Sequence, residues 1–477
     1  MSLARYASPL NYLAVVTHMG LVLRLLGLLF VPSVVVALAF GEFERAGLFA
    51  ALALGVFAIG WLASLANRPA LEVREALVVT ALAYLAFSLA GGLAHLPEAP
   101  LIDGFFESMS GFTTTGLSTL DPALLPKSLL FFRASTQWVG GAGIIVIALV
   151  VLFGPGRAPF KLYAAEFGGE NLVGSVVATA RVVIKVYLGL TALGYVVFLA
   201  VGMAPFDALL NIMTTVSTGG FSPFTDSVGH YQGIRFHVAF MVFMILGAVS
   251  FPLYYLALRE GPRRFLADIQ LRWLLAIVVL AGVAMFGILG WGVSAALPAF
   301  FQATSAASGT GFSTVDISSL PETMRLAMIP LMLIGGSVGS TAGGIKLLRF
   351  IILAKLGTWM VTRALLPQEA QVPVKYGNDT VSDGELKEMF AFVALFAAIF
   401  FGSAMLLALA GFPVLDALFE SASAAGTVGL STGITSPDLS SWAKLVLSFQ
   451  MWAGRLEVLA VLVFLYPGTW KWARRRG

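Results

Sequence analysis

Four short stretches rich in glycine, serine and threonine interrupt an otherwise apolar chain. They read TTTGLST at 113–119, STGGFSP at 217–223, GTGFSTV at 309–315 and GTVGLST at 426–432. In each stretch a glycine is followed by Leu or Phe and then by Ser, and these anchor glycines are Gly116, Gly220, Gly311 and Gly429. Main-chain carbonyls in glycine-specific conformations, together with uncharged hydroxyls, are suitable ligands for a cation stripped of its water.

The residues that precede the anchors repeat at the same spacing. Thirteen positions before the anchors stand residue types that start helices, Asp103, Asp207, Pro298 and Asp416. Nine positions before the anchors stand the polar residues Glu107, Asn211, Gln302 and Glu420. The shared offsets predict a unit that occurs four times, made of an outer helix, a short helix, a Gly-rich turn and a second spanning helix.

The length of the short helices indicates where the turns lie. A helix of about ten residues reaches ~15 Å, which is half the thickness of the hydrocarbon core. Irregular backbone at that depth is tolerated where it lines a water-filled cavity or is buried in protein. The turns are therefore predicted to line a pore, with the negative dipole end of each short helix directed at the ligand. A ring of carbonyls with four such helix ends suits a dehydrated monovalent cation.

The composition places these units in a lipid bilayer. Apolar residues make up 58% of the 477 positions, charged residues 11%, and the mean hydropathy is +0.91, whereas soluble domains carry about 25% charged residues. The absence of cysteine excludes disulfides and thiolate metal sites. The net charge of +4 is explained by the basic residues that membrane topology places on one face. Beyond them, only the basic C-terminal tail could suggest binding of nucleic acid.

Ten apolar segments are long enough to cross the bilayer as helices. They are 10–40, 46–66, 75–95, 128–153, 174–202, 235–258, 270–296, 325–356, 387–411 and 442–466. Basic residues cluster between alternate segments, at Arg68 and Arg74, Arg157 and Lys161, Arg259, Arg263 and Arg264, Lys355 and Arg363, and Lys471 through Arg476. The positive-inside rule makes this face cytoplasmic and predicts that both termini lie there. The first span lacks a small-residue cleavage site and is expected to be retained.

The turns and the second helices together resemble the Trk/Ktr/HKT superfamily of potassium transporters. GTVGLST is similar to a degenerate form of the potassium-channel filter TVGYG. The stretches FFRASTQWVGGAGIIV at 131–146, GGSVGSTAGGIKLLR at 335–349 and MWAGRLEVL at 451–459 resemble second helices of the bacterial TrkH membrane subunit. The two helices before residue 70 favour TrkH over KtrB, which lacks them.

The resemblance implies a fold and its boundaries. The fold is all-α and membrane-integral, with four tandem helix–pore-helix–filter–helix repeats around one pseudo-fourfold pore, preceded by two extra transmembrane helices. The N-terminal extension would cover 1–70, and the repeats 71–156, 157–262, 263–366 and 367–477.

The resemblance also implies a selectivity filter that binds potassium. Its residues would be Thr114, Thr115 and Gly116, Thr218, Gly219 and Gly220, Gly309, Thr310 and Gly311, and Thr427, Val428 and Gly429. In the family the filter glycine marks potassium selectivity, and a serine at that place in the first repeat accompanies sodium selectivity in some plant members. This chain has Gly116 there. Its third segment departs from the threonine pattern, because Gly309 has no side-chain oxygen.

A second constellation is predicted just cytoplasmic to the filter. Gly336 and Gly454 each follow their anchor by 25 residues, and the next positions are Ser337 and Arg455. If equivalent positions lie at equivalent depth, Arg455 is level with the Gly-rich stretch at 335–344. A charge at that depth is costly in lipid, so Arg455 is expected to face the cavity.

The resemblance implies that this stretch is a movable constriction and that Arg455 is an electrostatic barrier to cations. The implied gate residues are Gly335, Gly336, Ser337, Gly339, Ser340, Gly343, Gly344, Lys346 and Arg455. The alternative interpretation of Arg455 is a structural charge that snorkels or pairs with a buried carboxylate.

The function implied is potassium uptake across the cytoplasmic (inner) membrane through a gated, channel-like pore. Potassium is the transported ion, and no other cofactor is expected. The implied partners are a second copy in a homodimer, a cytoplasmic ring of nucleotide-binding TrkA-type regulatory subunits and the lipid bilayer, with no nucleic acid. The alternative is a sodium- or proton-coupled secondary carrier for potassium or another small solute. Such carriers usually show two related halves and a coupling carboxylate at the midplane.

Two patterns that look catalytic do not predict an enzyme. Gly429–Gly433 fits GxSxG, but that chemistry needs a strand-turn-helix and a histidine base. Gly339–Gly344 has the spacing of a phosphate-binding loop, yet Ile345 stands in place of the essential lysine. The remaining polar segment, 366–386, predicts a cytoplasmic hairpin.

Overall fold

The computed structural model describes residues 10–66, 69, 71–147, 176–367, 372–377 and 379–470. Some of the sequence-based expectations lie outside these residues. They are the boundary between the first two repeats at 156 and 157, residue 70 at the end of the N-terminal extension, and the basic residues Arg68, Arg157, Lys161 and Lys471 through Arg476.

Two N-terminal helices pack together as a hairpin. Helix α1 covers Tyr12–Ala39 and α2 covers Phe43–Ala63. They touch at Gly20 and Gly60, where a Cβ on Gly20 would lie 2.7 Å from the carbonyl oxygen of Gly60. Small residues at such contacts allow two backbones to approach closely inside a membrane.

Four repeats follow, each with a first helix, a short pore helix and a second helix. Repeat 1 consists of α3 (Val73–Leu93), α4 (Leu101–Phe112) and α5 (Lys127–Ile147). Repeat 2 consists of α6 (Val176–Ala200), α7 (Pro205–Val216), α8 (Ile234–Ala248) and α9 (Phe251–Glu260), and the short α10 (Pro262–Ala267) follows it. Repeat 3 consists of α11 (Ile269–Ile288), α12 (Val293–Ser308), α13 (Glu322–Ile334) and α14 (Leu347–Leu365).

The last repeat is preceded by a small hairpin. Strands β1 (Val374–Tyr376) and β2 (Asp379–Val381) pair antiparallel, which confirms the hairpin predicted for 366–386. Repeat 4 then consists of α15 (Asp383–Leu409), α16 (Val414–Ala425), α17 (Ser441–Arg455) and α18 (Leu459–Leu465). Single 3-10 turns lie at Pro122–Leu124, Ser227–His230, Ile317–Ser319 and Pro467–Thr469.

Three of the four predicted pore-helix starts are confirmed. Asp103, Asp207 and Asp416 each lie in the first turn of a 12-residue pore helix, where a carboxylate complements the helix dipole. The prediction for Pro298 was wrong, because α12 begins at Val293 and runs for 16 residues with Pro298 inside it.

Three of the ten predicted spans are not continuous helices. A bend of 93° separates α8 from α9, a bend of 119° separates α17 from α18, and residues 335–346 lie between α13 and α14. Polar backbone groups freed at one break are paired at another, since Ser337 N–H donates to the carbonyl of Ala248 and Phe251 N–H donates to that of Gly339. This mutual pairing allows irregular backbone to exist at membrane depth.

The described residues contain six helices that are long and apolar enough to cross a membrane, or up to eight spans when each bent pair counts as one. The other two predicted spans are 128–153, of which the structure describes the part up to Ile147 as α5, and the interrupted pair α13 and α14. Helix α5 carries Arg133 and Gln137, whose side chains are buried inside the protein rather than facing lipid.

Candidate functional site: the filter turns and the loop beneath them

The four Gly-rich turns share one unusual backbone conformation. The first predicted filter residue of each turn is left-handed, with φ of 53° at Thr114, 51° at Thr218, 70° at Gly309 and 51° at Thr427. The anchors are also left-handed, with φ of 95° at Gly116, 77° at Gly220, 85° at Gly311 and 96° at Gly429. Threonine rarely adopts positive φ, and strained residues of this kind cluster at functional sites.

Hydrogen bonds to the pore helices hold the middle residue of each turn. The N–H of Thr115 donates to the carbonyl of Ser110 at 2.8 Å. The corresponding donors Gly219, Thr310 and Val428 reach the carbonyls of Thr214, Ser305 and Ser423 at 2.8, 3.1 and 2.8 Å. The same bond in all four repeats makes the turns structurally equivalent.

The four turns meet in a closed ring. A Cβ on Gly116 would collide with the carbonyl oxygen of Gly219, which precedes the anchor of repeat 2. The same collision links Gly220 to Thr310, Gly311 to Val428, and Gly429 back to Thr115. Each repeat therefore contacts the next, and the fourth contacts the first. Any side chain at an anchor would displace a filter carbonyl.

The ring offers neutral oxygen ligands. The hydroxyl oxygens of Thr114 and Thr427 are buried and form no hydrogen bond within the described part of the chain. The hydroxyl of Thr218 donates to the carbonyl of Ser217 at 2.7 Å and lies 3.2 Å from the hydroxyl of Thr341. Gly309 supplies no hydroxyl in the third quarter. Orphaned buried hydroxyls beside carbonyls suit a partly dehydrated monovalent cation.

The loop at 335–346 leaves the end of α13 and returns to it before α14 begins. Ile345 N–H donates to the carbonyl of Leu333 and Lys346 N–H to that of Ile334, both at 2.9 Å. Positive φ values of 70° at Gly335, 76° at Gly339, 78° at Gly344 and 76° at Lys346 make this excursion possible. The ammonium of Lys346 caps it by donating to the carbonyl of Ala342.

The loop packs against the second pore helix and the turn of repeat 4. The Thr341 hydroxyl donates to the carbonyls of Val216, at the end of the second pore helix, and Gly247, both at 3.0 Å. A Cβ on Gly343 would collide with the hydroxyl of Thr427. Near the N-terminal end of the loop, a Cβ on Gly336 would lie 2.8 Å from the carbonyl oxygen of Ala248. Ser340 closes a turn by donating to the carbonyl of Ser337 at 2.6 Å.

Arg455 contacts this loop directly. Its guanidinium donates to the carbonyls of Thr341 at 2.5 Å and Gly140 at 2.9 Å, and the residue is 3% exposed. No carboxylate among the described residues forms an ion pair with it. Glu457 pairs instead with Arg349 at 2.6 Å. The structure thus brings Arg455 and the loop together, and the pairing of Arg455 with a buried carboxylate is not observed.

The model of the TrkH family, described as cation transport protein, matches residues 49–468. The chain belongs to the TrkH cation transport family. It is therefore a multi-pass membrane transport protein and not an enzyme.

Individual TrkH-family relatives match over nearly their full length. The chain is 30% identical over 480 residues to the Trk system potassium uptake protein TrkH of Halomonas elongata, covering 95% of this chain and 98% of the relative. It is 28% identical to the Trk system potassium uptake protein TrkG of Escherichia coli, covering 97% and 99%. The crystal structure of the potassium transporter TrkH from Vibrio parahaemolyticus superimposes with a TM-score of 0.87 at 28% identity, covering 97% of this chain and 100% of that one.

In this TrkH-family fold, most of the polar residues nine positions before the anchors hydrogen-bond to the turn of their own repeat. Their spacing did not reveal this role. Three of them hold the serine two positions after the anchor of their own repeat. The pairs are Glu107 with Ser118 at 2.9 Å, Gln302 with Ser313 at 2.8 Å and Glu420 with Ser431 at 2.7 Å. In repeat 2, Asn211 donates instead to the hydroxyl of Tyr231 at 2.9 Å. The serine two residues after every anchor was the sequence feature that could have indicated this hydrogen-bond partner.

Sequence reasoning missed Gln137, which contacts the second of the predicted filter turns. Its amide donates to the carbonyl of Gly219 at 2.6 Å and accepts from the N–H of Phe221 at 3.0 Å. A side chain from repeat 1 thereby fixes the filter strand of repeat 2. Gln137 lies within the stretch that carried the family resemblance, but nothing local shows which strand it reaches.

Proposed function

We propose that this TrkH-family protein takes up potassium across the cytoplasmic membrane through a gated, channel-like pore. The closed ring of four left-handed turns carries the proposal, because it collects carbonyls from four repeats at one place. Its turns contain hydroxyl and carbonyl oxygens and no charged side chain. Such a site replaces the water of a weakly hydrated monovalent cation without trapping it. The relatives whose names specify potassium uptake support this choice of ion.

Potassium is proposed as the transported ion, bound in turn by the residues of the four filter strands. The hydroxyls of Thr114 and Thr427, which form no hydrogen bond within the described residues, would form the inner end of this site. Glycine at all four anchors keeps the ring unobstructed, since a side chain there would push a neighbouring carbonyl out of place. The proposed site is thus selective through the positions of its carbonyls.

The proposed gate is the 335–346 loop together with Arg455. The loop lies against the end of the second pore helix, and Arg455 adds a positive charge whose hydrogen-bond partners on the loop and on α5 are neutral carbonyls. A fixed positive charge raises the barrier to a cation most where the path is narrow and poorly hydrated. Displacing the loop would remove both obstacles, because Thr341 carries the hydrogen bond to Arg455.

The proposed assembly is a homodimer with one pore per subunit, on a cytoplasmic ring of nucleotide-binding TrkA-type subunits. The family membership supports it, and so do the basic clusters that the positive-inside rule assigns to the cytoplasm. In the proposed topology both termini are cytoplasmic.

The test of the proposed function is rubidium or potassium uptake by potassium-starved cells that lack their own uptake systems. Expression of the chain should restore growth at low potassium, and purified protein in proteoliposomes should carry rubidium down its gradient. The matched control is the variant with Gly116, Gly220, Gly311 and Gly429 all replaced by Ser. Equal uptake by the control, or no uptake by the folded natural sequence, would refute the filter.

A further inference from the structure

Two buried carboxylates lie behind the outer end of the filter. Glu107 and Glu420 occupy equivalent positions in repeats 1 and 4 and are 1% and 0% exposed. Each accepts a hydrogen bond from a serine of its own filter strand, Ser118 or Ser431. The two carboxylates differ in the charge that surrounds them.

The carboxylate of repeat 1 is neutralised. Arg133 donates to Glu107 at 2.9 Å, and the two side chains are 3% and 0% exposed. The same guanidinium donates to Ser118 at 2.8 Å and lies 4.1 Å from the ring centre of Phe221. This buried pair adds no net charge to the wall behind the filter.

The carboxylate of repeat 4 has no such partner. Glu420 accepts from the Ser431 hydroxyl at 2.7 Å, from Thr435 N–H at 2.9 Å and from Thr432 N–H at 3.2 Å. No basic side chain in the described ranges forms an ion pair with it. Val446 follows its anchor by 17 residues, as Arg133 does in repeat 1, and it carries no charge.

The contacts of Glu420 suit an ionised carboxylate. All three partners are donors, and an ionised carboxylate accepts hydrogen bonds without donating any. A buried charge is costly unless something compensates it. The equivalent residues of repeats 2 and 3, Asn211 and Gln302, are neutral. Among the four equivalent positions, Glu420 is therefore the one charge without an ion-pair partner in the described part of the chain. Only the hydroxyl of Ser431 separates it from the filter strand.

We propose that Glu420 is the fixed negative charge that a cation in the filter neutralises, and that it sets the affinity of the filter for the transported ion. The proposal rests on the proposed function, because it requires a cation beside the strand that contains Ser431. The attraction acts through protein of low dielectric constant, where a charge behind the neutral ligands still contributes. The neutral oxygens then determine which ion fits, and Glu420 determines how tightly it is held.

The first test is Glu420→Gln in the full-length protein, reconstituted in proteoliposomes. Glutamine has nearly the same size, and its amide oxygen can accept the hydrogen bond that the Ser431 hydroxyl donates to Glu420. We expect the KM for rubidium to rise about tenfold, equivalent to about 1.4 kcal/mol, with no fall in maximal rate. An unchanged KM would overturn the proposal.

Two further variants separate charge from structure. Gln302→Glu adds a second uncompensated carboxylate at the equivalent position and should lower the KM. Ser431→Ala keeps the charge but removes the hydroxyl, and should change the KM less than Glu420→Gln does. If Ser431→Ala raises the KM as much as Glu420→Gln does, geometry rather than charge is responsible and the proposal fails.

A readout independent of transport is the potassium-dependent rise in melting temperature, since a ligand that binds the folded state stabilises it. This rise should be smaller in Glu420→Gln and larger in Gln302→Glu, so that the second variant decides the matter if the first does not fold. Identical rises in the natural sequence and in Gln302→Glu would overturn the role of Glu420. Absence of both uptake and stabilisation in the natural sequence would instead refute the filter itself.

Discussion

The guanidinium of Arg455, in repeat 4, donates a hydrogen bond at 2.5 Å to the carbonyl oxygen of Thr341, in the loop of repeat 3. Thr341 in turn donates to the carbonyl of Val216 at the end of the second pore helix. Movement of the loop must therefore break contacts with both a pore helix and a buried positive charge. This relationship makes the proposed gate testable by separate changes to the loop and to the charge.

Deleting Ser337–Ser340 should raise rubidium flux and leave the preference for potassium over sodium unchanged. The deletion removes the part of the loop that pairs with Ala248 and Phe251, whereas the filter strands lie on other segments. Flux assays on reconstituted protein, with relative sodium and potassium permeabilities, provide the measurement. A folded deletion variant with unchanged or lower flux would place the gate elsewhere.

Replacing Arg455 with Ala should also raise flux, though less than the loop deletion if the loop is the main barrier. Two unit charges ~8 Å apart at an effective dielectric constant of ~20 interact by about 2 kcal/mol, which limits the gain to roughly thirtyfold. Arg455→Lys is the matched control, because it keeps the charge and should keep flux low. Equal flux in the Ala and Lys variants would argue against an electrostatic barrier.

Gly116→Ser should weaken discrimination of potassium and rubidium over sodium. The new Cβ would occupy the place of the Gly219 carbonyl oxygen, and the position has a φ of 95°. Gly402→Ser is a suitable control, since an added Cβ there meets nothing within 4 Å. Competition of sodium with rubidium uptake measures the effect. The filter assignment would be in error if both variants discriminated as the natural sequence does.

Gly309→Thr should be tolerated and should complete the ring of inner hydroxyls. Gly309 already has the left-handed conformation of Thr114, Thr218 and Thr427, and an added Cβ would lie 3.6 Å from that of Ala342. The positive φ should cost about 1 to 2 kcal/mol of stability. Stronger stabilisation by potassium than in Gly309→Val, measured by melting temperature, would show that the hydroxyl is a ligand. Equal stabilisation in the two variants would contradict this.

Gln137→Leu should disturb the second filter strand although Gln137 belongs to repeat 1. It removes the donor to Gly219 and the acceptor for the N–H of Phe221, and an unsatisfied buried group costs about 1 to 3 kcal/mol. We expect a lower melting temperature together with reduced selectivity. Trp138→Phe, which removes a 3.1 Å bond to Thr191 away from the filter, should lower stability without changing selectivity. Selectivity lost equally in both variants would contradict a specific role for Gln137.

Much of the candidate site could be read from the residues because its requirements are local. A left-handed turn needs glycine at the anchor, and a helix dipole favours Asp in the first turn of a pore helix. Both depend on residues a few positions apart, so the short helices and the left-handed turns that follow them could be predicted from offsets to Gly116, Gly220, Gly311 and Gly429. Pro298 shows the limit of this reasoning, since α12 continues through it.

The tertiary structure alone decided the features that join distant segments. The order in which the turns close their ring depends on pairs such as Gly429 and Thr115, and the bond from Arg455 to Thr341 spans 114 residues of sequence. At the breaks of repeats 2 and 3, the loop and the neighbouring helix exchange backbone hydrogen bonds, from Ser337 to Ala248 and from Phe251 to Gly339. Apolar composition predicted continuous helices there, since hydropathy records whether a segment prefers lipid. It does not record whether another segment will supply partners for the backbone groups that a break exposes.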